Sequence, residues 1–274
     1  MIAILCKLSE SVMVAVKAFL LALITYLGLT SSLVAETFPD IIDRVRPSVV
    51  GVGIVRPPKR LNAKSPPFSY LGTGFAVDDG LTIVTNHHVI PKALDSKQQE
   101  SLAIFVGQGE SADARIAAIV ATDPLRDLAL LRIEGEPLPA LGLAEERGQV
   151  REGSNIAFTG FPIGMVLGLY PVTHRGIVSA ITPMVIPANT ASELTAERFK
   201  RLHTPFDVFQ LDATAYPGNS GSPLYLPESG QVIGVINSVF VKEGKESMLT
   251  NPSAITYAIP VRYVRELLHN VDTR

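Results

Sequence analysis

Apolar and polar positions in this chain alternate over short stretches, and only the two ends of the folded part carry helical spacing. FPDIIDRV, 38–45, has apolar residues at 38, 41, 42 and 45, which is one face of a helix stopped before Pro47. SVVGVGIV, 48–55, then reads as a first strand. Further strands are expected at 72–77, 81–85, 102–106, 112–122 and 127–133, with a D-G hairpin turn at Asp78-Asp79-Gly80. Residues 57–67 are basic and proline-rich and predict a surface loop or disordered segment. EPLPALGLAEERGQVREG, running to Gly153, is a charged, glycine-containing connector, and the boundary between two sub-domains is expected there.

The second half repeats the pattern. Strands are expected at 155–161, 172–181, 206–213, 231–240 and 255–259, with a polar loop and a helical turn at 186–204. Pro260 suits the first position of a closing helix, whose apolar face is Val261, Val264, Leu267 and Leu268. The fold class is all-β, with a short helix near each end. There is no internal repeat at fixed period.

Composition changes this picture little. Twenty prolines and twenty-one glycines suit short strands joined by turns. A net charge of −2 leaves no basic footprint, so nucleic acid is not an expected partner. The N-terminus is different. Lys7 and Lys17 precede the apolar run AFLLALITYLGL, 18–29, and small residues follow up to Ala35. That is the layout of an export leader, read as residues 1–35, with cleavage after Ala35. Leu33 at the third position before that site leaves an uncleaved membrane anchor as the alternative. Either way the remaining chain, 36–274, is exported to the periplasm or secreted. Its lone cysteine, Cys6, lies in the leader, so the exported part has neither a disulfide nor a thiol nucleophile.

Candidate chemistry sits at strand ends. QLDATAYPGNSGSPLY, 210–225, presents Ser220 after Pro217-Gly218 and before Gly221. Glycines supply the positive φ angles that a tight exposed turn demands, and the N–H groups of Gly218 and Ser220 can then converge as an oxyanion hole. Taken alone, the stretch reads as an ordinary hairpin turn. Two further signals change that reading. Asn86-His87-His88 closes a buried strand, and Asp127 opens an apolar one, where a carboxylate is costly unless donors meet it. No H-E-x-x-H or Cys/His spacing accompanies the histidines, so neither a metal nor a cofactor is expected. Histidine, aspartate and serine occur in the order His88, Asp127, Ser220. The α/β-hydrolase order, with G-x-S-x-G, is excluded because position 222 is Ser and the only later histidine is His269.

TNHHV (85–89), DLALLRI (127–133) and PGNSGSPL (217–224) together resemble the motifs of HtrA/Deg-type trypsin-like serine proteases. The resemblance extends over 38–268. It implies a double six-stranded β-barrel, the first barrel spanning about 46–136 and the second about 154–260. It also implies a serine endopeptidase with a His88, Asp127, Ser220 triad acting on unfolded or exposed protein or peptide segments. A homotrimer built through N-terminal residues is a further implication, since the family often forms trimers that way. The residue six before the nucleophile, Thr214, would floor the primary substrate pocket beside Ala215. That predicts small or medium neutral side chains there, with Glu243 and Glu246 in a nearby loop. Three departures stand out. Ser222 replaces a usual glycine, His87 a usual asparagine, and the PDZ domain of many relatives has no counterpart. Asn219, where digestive relatives carry an aspartate, predicts that no zymogen-type cleavage is needed. A weakly catalytic scaffold and an esterase-type acyl hydrolase remain as rival readings of the same motifs.

Overall fold

The computed structural model describes residues 13, 15–19, 36–57, 67–145, 150–162, 168–184, 205–237 and 255–273. Met1–Glu36 is one unit and Thr37–Arg274 another. In the first, residues 13 and 15–19 are helical. Nearly all of the expected leader, the expected loop at 186–204 and most of 57–67 lie outside the described residues. Among the described residues no helix is long and apolar enough to cross a membrane.

The second unit is two closed barrels, every neighbouring pair antiparallel. The first holds β1 (Val49–Val55), β2 (Phe68–Val77), β3 (Thr82–Thr85), β4 (Ser101–Val106), β5 (Asp113–Asp123) and β6 (Leu128–Ile133), in the order β1-β2-β3-β6-β5-β4. The second holds β7 (Asn155–Gly160), β8 (Val172–Pro183), β9 (Asp207–Asp212), β10 (Pro223–Tyr225), β11 (Val232–Asn237) and β12 (Ile255–Pro260), in the order β10-β11-β12-β9-β8-β7. Closure leaves no sheet edge, and bulges bend the strands round, among them those after Val52, Ile119 and Val178.

Helix α1 (Phe38–Val45) is the one expected from its spacing. Asp40 accepts hydrogen bonds from the Thr37 N–H and hydroxyl, which holds its carboxyl below the usual carboxylate value and closes the first turn. Of its apolar face, Ile41 and Val45 are fully buried and Phe38 and Ile42 half-buried. Helix α2 (Val261–Asp272) starts one residue later than expected. Pro260 ends β12 and caps the helix instead of opening it.

Among the described residues three apolar clusters follow from the alternation. One fills the first barrel around Ile83, Ile104 and Leu131, and one fills the second around Phe158, Leu224 and Ile236. The largest lies between the barrels, joining Phe75, Val84 and Leu130 to Phe161, Tyr225 and Ile259, with Ile41 of α1 and Val264 of α2 closing its ends. Strands β6 and β11 are apolar on both faces because one face looks into its barrel and the other into this interface. The connector is not a loose linker. Leu141 donates its N–H to Ala76 O in the first barrel, and Ala144 donates to Val232 O in the second, at 2.9 and 2.8 Å.

Further expectations are corrected. Strand β2 starts at Phe68, four residues before the strand expected at 72–77. Pro223–Tyr225, where no strand was expected, is a short strand, paired with β7 and β11. Asp127 does not open β6. It sits in the preceding turn with φ +58°.

Ile41 is the keystone of α1, and its truncation tests whether that helix is part of the core. Ile41→Ala is expected to cost about 2–5 kcal/mol in urea unfolding, with an unchanged denaturant slope. A loss near zero would mean that α1 is docked only loosely.

Candidate active site

Strand β3 delivers the first residues of the site. It ends at Thr85, and the next residues form a single 3-10 turn, His87–Val89. The turn between β5 and β6 delivers Asp127 opposite. His88 Nδ1 lies 2.6 Å from Asp127 Oδ2, and the His88 backbone N–H donates to Asp127 Oδ1 at 2.8 Å. Because a carboxylate can only accept, Nδ1 carries the proton and Nε2 is left as the basic nitrogen. The left-handed backbone at Asp127 is tolerated because aspartate is among the residues that visit that region. Its carbonyl is held in turn by the His87 N–H at 3.1 Å and the Asn86 amide at 3.0 Å.

A third donor comes from the other barrel. Asn237, the last residue of β11, donates Nδ2 to Asp127 Oδ2 at 2.6 Å. Neither Asn237 nor Asn86 was identified from the sequence as a partner of Asp127.

The second barrel delivers Ser220, which is 4 % exposed. Its turn is fastened to β2 of the first barrel. Thr73 donates its N–H to Ser220 O at 2.8 Å, and the hydroxyls of Thr73 and Tyr70 both reach Gly218 O, at 2.7 and 3.0 Å. Burial holds the Tyr70 phenol far above its ordinary value, so it stays a neutral donor. These two hydroxyls order the turn from outside it, and the sequence motifs gave no sign of them. Gly218 and Gly221 have φ +100° and +88°. A Cβ on Gly221 would stand 2.0 Å from Thr73 O, so the position is closed to any side chain.

The segment after His88 and the Ser220 turn both pack against Gly72. A Cβ there would lie 2.7 Å from Val89, the neighbour of His88, and 3.0 Å from Ser220 O. The structure pairs His88 with Asp127, which Asn237 of the second barrel also reaches, and ties the Ser220 turn to β2 of the first, so all three residues lie along the seam between the barrels. Thr214 and Ala215 follow β9 on the second barrel and are half-buried, with the Ala215 N–H donating to Thr256 Oγ1 at 3.0 Å. Ser222 is fully buried. A Cβ on Gly160 would stand 2.0 Å from its hydroxyl oxygen, so serine fits at 222 because residue 160 has no side chain.

A profile of the trypsin-like peptidase domain matches residues 72–235, more than half of the chain. The chain belongs to the trypsin-like peptidase family. Among curated proteins it is 32 % identical over 238 residues to the mitochondrial serine protease HTRA2 of Bos taurus, covering 86 % of this chain and 43 % of that one. It is 29 % identical over 203 residues to a "Probable periplasmic serine endoprotease DegP-like" of Pseudomonas fluorescens, covering 74 % and 35 %. The chain thus spans less than half the length of these relatives. Its fold is shared with the HtrA-type protease AlgW, solved with a decapeptide, at TM-score 0.61 and 24 % identity over 87 % of this chain and 68 % of that one. It is shared also with the active form of the Rv3671c protease of M. tuberculosis, at TM-score 0.60 and 20 % identity over 84 % and 83 %. Within the family the chain is of the HtrA type.

Near the Ser220 turn lies a histidine that the motifs do not include. His174 of β8 stacks on Phe158 at 4.8 Å and 20°, and Tyr216, which opens the Ser220 turn, lies 6.2 Å away. Burial pushes its imidazole below the ordinary 6.5. The unfolded chain therefore takes up this proton first. The associated stability is complete above pH ~6.5 and is lost as the pH falls through the lower folded value. Between about pH 7.5 and about pH 5, His174→Phe is expected to lose less melting temperature than the unsubstituted protein. Equal losses would show that His174 does not contribute to acid sensitivity.

Proposed function

We propose that the protein is an exported serine endopeptidase that cleaves unfolded or exposed protein segments. The observation that carries this reading is the Asp127 carboxylate. It grips the His88 ring nitrogen at 2.6 Å and the His88 backbone at 2.8 Å, and so aims the imidazole from a fixed anchor beside the Ser220 turn. Ser220 Oγ attacks the peptide carbonyl carbon while His88 Nε2 takes the hydroxyl proton. The imidazolium is stabilised by Asp127, and the N–H groups of Gly218 and Ser220 receive the oxyanion. Collapse of the tetrahedral intermediate breaks the C–N bond, and His88 passes its proton to the leaving amine. Water, deprotonated by His88, then hydrolyses the acyl-enzyme. None of these steps draws on a metal or cofactor.

The pocket reading follows the same frame. Thr214 and Ala215 at the floor offer no charge to a substrate Lys or Arg, so small or medium neutral side chains are taken before the scissile bond. Activity without a zymogen cut is supported by two features. Asn219 is fully buried and neutral, so it offers no carboxylate to an incoming ammonium. Residues 49–55 form a core strand of the first barrel, so a cut near Ser48 would fray the fold instead of completing it. Export is supported by the apolar run 18–29 and by the periplasmic names of several relatives.

The test is incubation with casein and with a fluorophosphonate probe. One label per chain is expected, on Ser220, and Ser220→Ala is expected to abolish both labelling and casein cleavage. His88→Ala should cut turnover by several orders of magnitude, while His87→Asn should be tolerated. Labelling at another serine, or an intact protein that turns over small esters and leaves casein untouched, contradicts the reading.

A further inference from the structure

The turn that carries Asp127 is gripped from behind by helix α2. Arg126, the residue before Asp127, bonds Asp123 twice, through its backbone N–H to Oδ1 at 3.1 Å and through Nη1 to Oδ2 at 3.0 Å. The same Nη1 lies 3.1 Å from Glu266 Oε2, and the guanidinium carbon lies 4.4 Å from the centre of the Tyr263 ring. Glu266 and Tyr263 both belong to α2. Arg126 therefore holds its own turn with one set of contacts and the second barrel's closing helix with another.

Tyr263 is a firm post for such a grip. It is 7 % exposed, and its ring meets Phe206 edge-on at 5.6 Å. Its hydroxyl accepts from the Asp207 N–H at 3.2 Å and from Arg262 Nη2 at 2.8 Å. Arg262 also lies over the ring at 4.7 Å and pairs with Asp207 at 2.8 Å. The Glu266 side chain is 47 % exposed, so its ion pair contributes little by itself. The planar contact of guanidinium with a buried ring, in a group already tied to its own turn, is the stronger part.

We infer that Arg126 is a positioning residue for the peptidase reaction, bracing the Asp123–Asp127 turn against α2 so that Asp127 presents Oδ2 to His88 at the catalytic angle. This rests on the assignment of Asp127 to the triad. Asp127 sits in the left-handed region, and such a residue keeps its conformation only while its surroundings over-determine it. The His87 and Asn86 donors hold its carbonyl from the front, and Arg126 holds the turn from the back. A small rotation of the carboxylate is enough to lose rate, because catalysis depends on sub-ångström placement.

The experiment compares Arg126→Gln and Arg126→Lys with Asp127→Asn in the full chain. It reads kcat and KM on a peptide substrate, together with the far-downfield proton resonance of His88 Nδ1–H. Arg126→Gln is expected to lower kcat about 10–100-fold with KM little changed, and to shift or broaden that resonance. Arg126→Lys keeps the charge but loses the planar face, and is expected to recover part of kcat. Should Arg126→Gln fail to fold, Arg126→Lys combined with Glu266→Gln weakens the same grip and is expected to show the same pattern. Wild-type kcat and resonance in the Arg126 variants, beside an inactive Asp127→Asn, would overturn the brace and leave the triad standing. A loss confined to KM would also overturn it. An active Asp127→Asn would overturn the triad assignment itself, and the brace with it.

Discussion

A buried carboxylate has to be met by donors, and in this protein the donors come from both barrels. Asp127 is 7 % exposed and receives the His88 backbone N–H, the His88 ring N–H and the Asn237 amide at 2.8, 2.6 and 2.6 Å. An ion taken out of water without such partners costs several kcal/mol. Two of the three donors are local to the first barrel. The third is delivered by the end of β11, so the charge is fully satisfied only when the barrels are docked. The apolar interface supplies the attraction between them, and the carboxylate sets the register at which that attraction is used.

The serine turn depends on the same docking. Its carbonyls at 218 and 220 are held by groups on β2, a strand of the opposite barrel. Gly221 and Gly72 let the two backbones approach to distances that any Cβ would block. Ser220 and His88 are thus positioned by one seam, and a change in how the barrels meet would disturb His88, Asp127 and the Ser220 turn together. Helix α2 extends this logic to the back of the seam. It closes the second barrel and touches the Asp127 turn through Tyr263 and Glu266.

Much of this was legible in the sequence for a simple reason. Helix α1 and the strands depend on local periodicity, and FPDIIDRV or LALLRI carry their own signal. The pairing of His88 with Asp127 was legible because each stands in a spaced motif, as Ser220 does. Asn237 was not, because its partner lies 110 positions away and nothing in VIGVIN marks a donor aimed across an interface. Tyr70 and Thr73 were hidden likewise within an apolar strand whose start was read four residues late. Strand β10 escaped because three residues, the first a proline, are too few for alternation to show. The left-handed turn at Asp127 escaped because aspartate suits a strand end and a tight turn almost equally well in the absence of the opposing donors.

On the proposed mechanism Asn237 acts through Asp127, and their contact joins the barrels in the catalytic register. A double-mutant cycle on the acylation rate tests it, using Asp127→Ala, Asn237→Ala and the pair. If the contact is the junction, each single change slows acylation, and Asn237→Ala causes little further loss once Asp127 is gone, giving strong non-additivity. Losses that simply add would show that Asn237 works independently of the carboxylate, and the account of the seam would be wrong.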